Sequence, residues 1–296
     1  MWSILYEMWL WNEPSAMRTG EMSRGVSWRY ALCNEMFEGW SLDKVAAAAA
    51  EIGYQGIELA PFTLAPLVTD LSPADRVRIR RDVEGAGLEV AGLHWLLAKT
   101  PFRLNVPDPE ERERAAQYLL ALTDFCSDVG GDILVFGSPD QRDPRDGFAP
   151  GEAYKSTAEV MRRCGERASA QGVTFCIEPL GTSFVTWVDD AVRMVQEVDH
   201  PGFRMMVDCK SMAQDVTRWP VGDQIRAAAP WFKHVHVNDP NMLGPGMGDM
   251  DFEPILATLH DLEYAGWVSV EVFRYELGPE RIARESLANL RGAEPR

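Results

Sequence analysis

The sequence predicts an α/β chain folded as a (β/α)8 barrel. Three observations carry that expectation: eight short apolar runs of strand length, a helical pattern after each of them, and no place where two strand-like runs follow one another directly. Strands that alternate with helices build a parallel sheet. Runs that are apolar at nearly every residue fit strands covered on both faces. Eight such units in about 260 residues match the size of a closed barrel, typically ~250 residues. An open doubly wound sheet would normally carry a glycine-rich phosphate turn after its first strand, and that position reads NEMFEGW here.

The first strand lies in WRYALCNE (28–35). A helix follows over 41–53, with Ser41 placed as its N-cap and Gly53 as its stop. QGIELA (55–60) is the second strand. The helix over 72–87 opens with Ser72 and then Pro73, a cap followed by the residue whose fixed φ suits a first turn. LEVAGLH (88–94) is the third strand, and a long amphipathic helix over 108–130 starts at Asp108 with Pro109 behind it. GDILVFG (131–137) is the fourth strand; a loop rich in Asp, Pro and Gly (138–151) separates it from a helix over 152–171. VTFCIEP (173–179), FRMMVDC (203–209), KHVHVND (233–239) and WVSVEVF (267–273) complete the strands, with helices over 187–198, 221–229, 252–262 and 279–290. No linker, low-complexity tract or short-period repeat interrupts 28–296, so one barrel domain is expected there. Residues 1–27 read either as a short N-terminal extension or as an early start, since Met22 would serve equally well.

Composition narrows the function. Hydrophobic residues at 46% and charged residues at 25% exclude a disordered or fibrous chain. A formal net charge of −16 repels phosphate backbones, which argues against a nucleic-acid partner. Cysteines at 33, 126, 164, 176 and 209 are odd in number and show no CxxC spacing, as expected of reduced thiols in a cytoplasmic protein. No apolar run approaches the ~18–20 residues of a membrane span, and the start lacks the basic region of a signal peptide.

In barrels of this kind chemistry sits at the C-terminal ends of the strands. There the sequence places Asn34 and Glu35, Glu58, His94, Glu178, Asp208, the pair His234 and His236, and Glu271; the fourth strand ends in Phe136 and Gly137 and offers nothing ionic. Glu178, Asp208 and Glu271 each follow an apolar run. A carboxylate in that position is strongly desolvated unless a cation or hydrogen-bond donor compensates it. Any one of them alone reads as a salt-bridged or surface group. Four consecutive strand ends together indicate a metal centre: Glu178, Asp208, one histidine and Glu271. Histidines two apart on a strand face the same side, and His236 lies nearer the mouth, so it is taken as the ligand and His234 as deeper packing or support. Three carboxylates and one imidazole suit Mn first, then Mg or Co, with Zn still open.

The chain resembles the xylose isomerase-like TIM-barrel superfamily in its branch of sugar isomerases and epimerases, similar to the ketose 3-epimerases. The carriers, spanning roughly 29–290, are EIGYQGIEL, IEPL around Glu178, MMVDCKSM around Asp208, HVHVND around His236, GPGMGDMDFEPIL, and GWVSVEVF around Glu271. The resemblance implies one divalent metal on Glu178, Asp208, His236 and Glu271. It also implies that Glu178 and Glu271 act as acid and base on the two faces of a substrate carbon. Such an enzyme abstracts a proton next to the carbonyl of a ketose-like polyol and passes through a metal-stabilised enediolate. The chain departs from the family at Ser211, where a histidine is usual, and near Met242, where an arginine is usual. Glu58, His94, Trp95, Lys210 and His234 are expected on the substrate side, Trp95 as a sugar-stacking face and Lys210 toward an anionic or keto group. Packing, for His94 and Trp95, and simple solvation, for Lys210, are the competing readings.

Three other functions stay open. A dehydratase acting on a keto-cyclitol or dehydroshikimate-like substrate would use the same metal and the same proton abstraction, then expel water. An apurinic endonuclease would need further histidines, and the loop after the seventh strand has Asp249 and Asp251 but none. A non-catalytic barrel that binds a sugar is the third. The substrate is a small carbohydrate or cyclitol in every catalytic version except the endonuclease, and by analogy with the superfamily the chain is a homo-oligomer.

Overall fold

A computed structural model describes residues 28–181, 183–215 and 220–295; the extension expected at 1–27 lies outside them. Eight parallel strands close into a barrel: β1 (Arg29–Cys33), β2 (Gly56–Leu59), β3 (Glu89–Leu93), β4 (Ile133–Phe136), β5 (Thr174–Ile177), β6 (Phe203–Asp208), β7 (Phe232–Val237) and β8 (Trp267–Val270). Each strand pairs with the next, and β8 closes onto β1 with Arg29 opposite Trp267. The eight long helices alternate with the strands as expected, at Leu42–Ile52, Pro73–Glu84, Pro109–Asp128, Pro150–Gln171, Val188–Val198, Val221–Ala228, Glu253–Asp261 and Pro279–Gly292.

Local chemistry explains their ends. Ser72 and Asp75 form a reciprocal capping box ahead of Pro73. The Asp108 carboxylate accepts from the Glu110 N–H and opens the long helix. Gly53 stops its helix at φ 109°, a left-handed value open to glycine. Ser41 stands at the expected N-cap, but its side chain accepts no first-turn N–H. Two short α-helical turns lie outside the expected elements. Pro139–Arg142 lies inside the expected 138–151 loop, and Cys209–Ala213 follows β6 because Asp208 caps it, accepting from the Ser211 N–H.

Alternation along the strands sorts side chains into layers. Trp267 packs with Ala31 and Ala91 at the closed end of the barrel. A Cβ on Gly56 would lie 2.8 Å from the Trp267 ring, so that position needs a glycine to admit the indole. Ile133, Val135, Cys176 and Met206 fill the next level. Above them the interior turns polar, with Glu58, His234 and His236 fully buried. All five cysteines are buried and free. Among the described residues no helix is long and apolar enough to cross a membrane.

Candidate metal centre

Asp208, His236 and Glu271 converge from β6, β7 and the residue after β8. One potential ligand atom from each lies within 4.8 Å of the others, and all three residues are buried. Strand register brings them together. Asp208 pairs with His236, and Val237 pairs with Val270, one residue short of Glu271. His234 and His236 both point inward, as their spacing requires.

The trio is held from below. Glu58 Oε2 is 2.8 Å from His234 Nε2, and Glu58 Oε1 is 3.1 Å from His236 Nε2. The other ring nitrogen, His236 Nδ1, faces Glu271 Oε2 at 3.1 Å. A carboxylate that anchors one imidazole nitrogen fixes the ring and turns the other nitrogen toward the site, the arrangement found around metal-ligating histidines. The β2–β3 ladder slips beside Glu58, with Ala91 the extra residue on β3. Asp208 Oδ1 accepts from the Ser211 N–H at 2.7 Å, and Oδ2 accepts from Asn238 Nδ2 at 2.6 Å. Trp95 Nε1 donates to Glu271 Oε1 at 2.8 Å.

Glu178, at the end of β5, stands apart from the trio. Its carboxylate makes no hydrogen bond to a described residue, although the residue is only 7% exposed. Its room comes from the strand end that offered nothing ionic: a Cβ on Gly137 would lie 2.2 Å from Glu178 Oε2. Beneath it, the fully buried Arg142 donates through Nη1 to the Glu178 carbonyl at 2.8 Å and to the Phe136 carbonyl at 2.9 Å. Arg142 thereby ties the ends of β4 and β5. Nothing in PDQRDPRDG marks this arginine as buried; in sequence it reads as one more charge in a solvated loop.

Burial drives the Glu178 carboxyl up to about 8, and the neighbouring Asp208 and Glu271 add to the rise. Burial acts on Glu271 in the same sense, but the His236 imidazole outweighs it and holds Glu271 down to about 2. Glu58 is likewise buried, yet His234 and His236 keep it well below the usual carboxylate range. Burial lowers the Arg142 guanidinium to about 10.

The donor set fits a divalent cation. Two carboxylates and an imidazole lie within mutual reach; the carboxylates of Asp208 and Glu271 keep lone pairs beyond those their hydrogen bonds use, and His236 Nδ1, now against Glu271, is the nitrogen that would turn to a cation. The residues expected on the substrate side divide. Trp95 and Lys210 line a cleft of about 480 Å3 with Glu178 and Glu271. Glu58, His94 and His234 are fully buried beneath it, because strand alternation turns them into the barrel. His94 Nε2 meets Glu35 Oε2 at 2.7 Å. The 240–250 loop beside the cleft is tied down. Asp239 accepts from the Gly248 N–H, and Phe273 and Arg274 donate to the Met242 carbonyl.

The family model described as xylose isomerase-like TIM barrel matches residues 46–293. The chain is 26% identical over 232 residues to the D-psicose 3-epimerase of Ruminiclostridium cellulolyticum, covering 76% of this chain and 75% of that one. It is 23% identical over 261 residues to the fructoselysine 3-epimerase of Escherichia coli O157:H7, covering 83% and 91%. The solved structure of D-psicose 3-epimerase with D-tagatose from Clostridium cellulolyticum H10 shares the fold at a TM-score of 0.77 and 20% identity, over 90% of this chain and 100% of that chain.

Proposed function

The chain belongs to the xylose isomerase-like TIM barrel family, and on that premise we propose that it is a divalent-metal-dependent isomerase acting next to the carbonyl of a ketose, as a 3-epimerase. The observation that carries this reading is the placement of two buried carboxylates. Glu178 and Glu271 flank the Asp208–His236 pair in barrel order and open into one cleft. The similarity to enzymes named for 3-epimerisation of D-psicose and of fructoselysine points to the same substrate class.

Asp208, His236, Glu271 and Glu178 would hold the cation, with Mn the first choice and Mg, Co or Zn its competitors. A bound divalent ion polarises a substrate carbonyl and makes the proton on the adjacent carbon more acidic. The protein's own groups do the rest. One of the two glutamates takes the proton from one face of that carbon, and the other returns a proton to the opposite face, which inverts the centre. Trp95 keeps Glu271 aimed through its Oε1. Glu58 and His234 act as positioning residues beneath His236, in place of the substrate contacts expected of them. Lys210, on the cleft wall with its Nζ 3.9 Å from the Phe273 ring, offers donors to a substrate oxygen. The buried free thiols suit a reducing, cytoplasmic setting.

The test is NMR of a ketose panel in D2O with Mn-loaded protein. The expected result is deuterium on the carbon beside the carbonyl together with the 3-epimer. Glu178→Gln and Glu271→Gln should each lower turnover by about 10²–10⁴-fold. Full activity in either variant overturns the acid–base assignment, and a new enone absorbance without epimer would replace the isomerase with the dehydratase.

A further inference from the structure

The mouth of the barrel opens into two lobes. The first, about 480 Å3, contains Glu178, Glu271 and Lys210. The second, about 830 Å3, lies beyond the ends of β1 and β2 and is lined by none of the Asp208–His236–Glu271 trio. The lobes adjoin, because Trp95, Lys99 and Phe273 line both. The Trp95 and Phe273 rings stand 6.1 Å apart at 31° and form a ridge between them. Trp95 is built into that position. Its φ of 55° lies in the left-handed region, which is costly for a bulky side chain and persists only where the surroundings impose it. Either lobe alone falls within the ~300–1,000 Å3 of sites that hold a drug-sized ligand. A ketose at the carboxylates therefore leaves the second lobe to another group.

The second lobe has a distinct chemistry. Trp40, Phe62 and Tyr275 line it half-buried, so each keeps ring surface outside the core. Glu35 lies at its floor, 4% exposed, with Oε2 taken by His94 and Oε1 buried without a partner. Glu38 is exposed at its rim. A buried acceptor left unmet calls for a donor. Among its lining charges two carboxylates, Glu35 and Glu38, stand against one amine, Lys99, whose Nζ lies 4.0 Å over the Phe62 ring, so the lobe disfavours an acid and offers acceptors to hydroxyls. Aromatic faces for C–H surfaces and carboxylates for hydroxyls together fit a neutral sugar ring, whereas an aryl group would bring no donor to Glu35.

We propose that the substrate is bipartite: a ketose at Glu178 and Glu271 carrying a neutral glycosyl ring that crosses the Trp95–Phe273 ridge into the second lobe. This rests on reading the first lobe as the proton-transfer site. The experiment compares fructose with 6-O-glucosylfructose on the Mn-loaded protein, by deuterium exchange in D2O. The expected result is a kcat/KM about tenfold higher for the disaccharide, about 1.4 kcal/mol. Trp40→Ala should collapse the ratio of the two kcat/KM values toward one. In parallel, saturation-transfer NMR of the disaccharide on the chelated protein should mark protons of both rings. Exchange on fructose that is as fast as or faster than on the disaccharide overturns the inference and leaves the isomerase standing. Exchange on neither overturns the isomerase reading. In that case the saturation experiment decides the second lobe alone, and a glucosyl ring that receives no saturation overturns it.

Discussion

Replacing Gly137 by Ala isolates the placement of one carboxylate. The added Cβ would lie 2.2 Å from Glu178 Oε2, 3.4 Å from its Cδ and 3.8 Å from Leu180 Cδ1. Only the first of these is closer than ordinary contact, so Glu178 Oε2 must retreat by about 1.2 Å while little else moves. Gly137 does not have a positive φ, so alanine fits its backbone. Losing a glycine from the unfolded chain favours folding by about 0.4–1 kcal/mol, and stability should stay within about 1 kcal/mol of the parent. Misplacing a reacting group by ~1 Å costs on the order of 10²-fold in rate, or about 2.7 kcal/mol of barrier. The assay is kcat/KM on a ketose alongside a denaturant titration. Parental kcat/KM in Gly137→Ala would refute the role given to Glu178. A loss of stability above about 3 kcal/mol would refute the claim that only the carboxylate tip has to move.

Other outcomes follow from the same geometry. His236→Ala should strip the protein of metal, measured by elemental analysis after dialysis, whereas His234→Ala should retain more; the reverse order would exchange their roles. Glu58→Gln removes the charge between two buried histidines. It should cost roughly 3–5 kcal/mol in chemical denaturation and about 10–100-fold in metal affinity. Trp95→Phe keeps an aromatic ring, though a smaller one, and deletes the N–H bonded to Glu271. A hydrogen bond to a charged group is worth ~1.5–3 kcal/mol, so kcat should fall by about 10–100-fold, and an unchanged kcat would mean that Glu271 holds its orientation without Trp95. Glu113, bonded through both oxygens by Arg163, is held down to about 2. A depressed carboxyl stabilises the fold above its ordinary pKa and loses that contribution as pH falls toward the lowered value. The Glu113→Gln difference should therefore be small at neutral pH, since the pair is solvent-exposed, and should vanish near pH 2; a difference that grows as pH falls would contradict the assignment.

Much of the architecture was legible because its signals are local. Ser72 before Pro73, Asp108 before Pro109 and Gly53 after an apolar helix each act within a turn, and the apolar runs gave eight strands in order. The convergence of Asp208, His236 and Glu271 was legible too, since the barrel rule maps consecutive strand ends onto neighbouring positions. Ser41 shows the limit of such signals: the residue type suits a cap, but its side chain accepts no first-turn N–H and is bonded instead to the Asp43 carboxylate.

What the sequence by itself determined was the order of strands and helices and the sets of side chains that share a face, because period and punctuation are properties of neighbours along the chain. Which side chains reach the cleft was decided only by tertiary structure. Glu58 sits in the middle of QGIELA, and nothing there announces two histidines from the far side of the barrel. His94 ends its strand at the mouth in sequence, yet lies fully buried against Glu35 in the fold. Gly137 and Arg142 matter for Glu178 only because β4 lies beside β5, so that one leaves a space and the other pins a carbonyl. Those relations depend on distance across a closed sheet, and sequence spacing does not encode that distance.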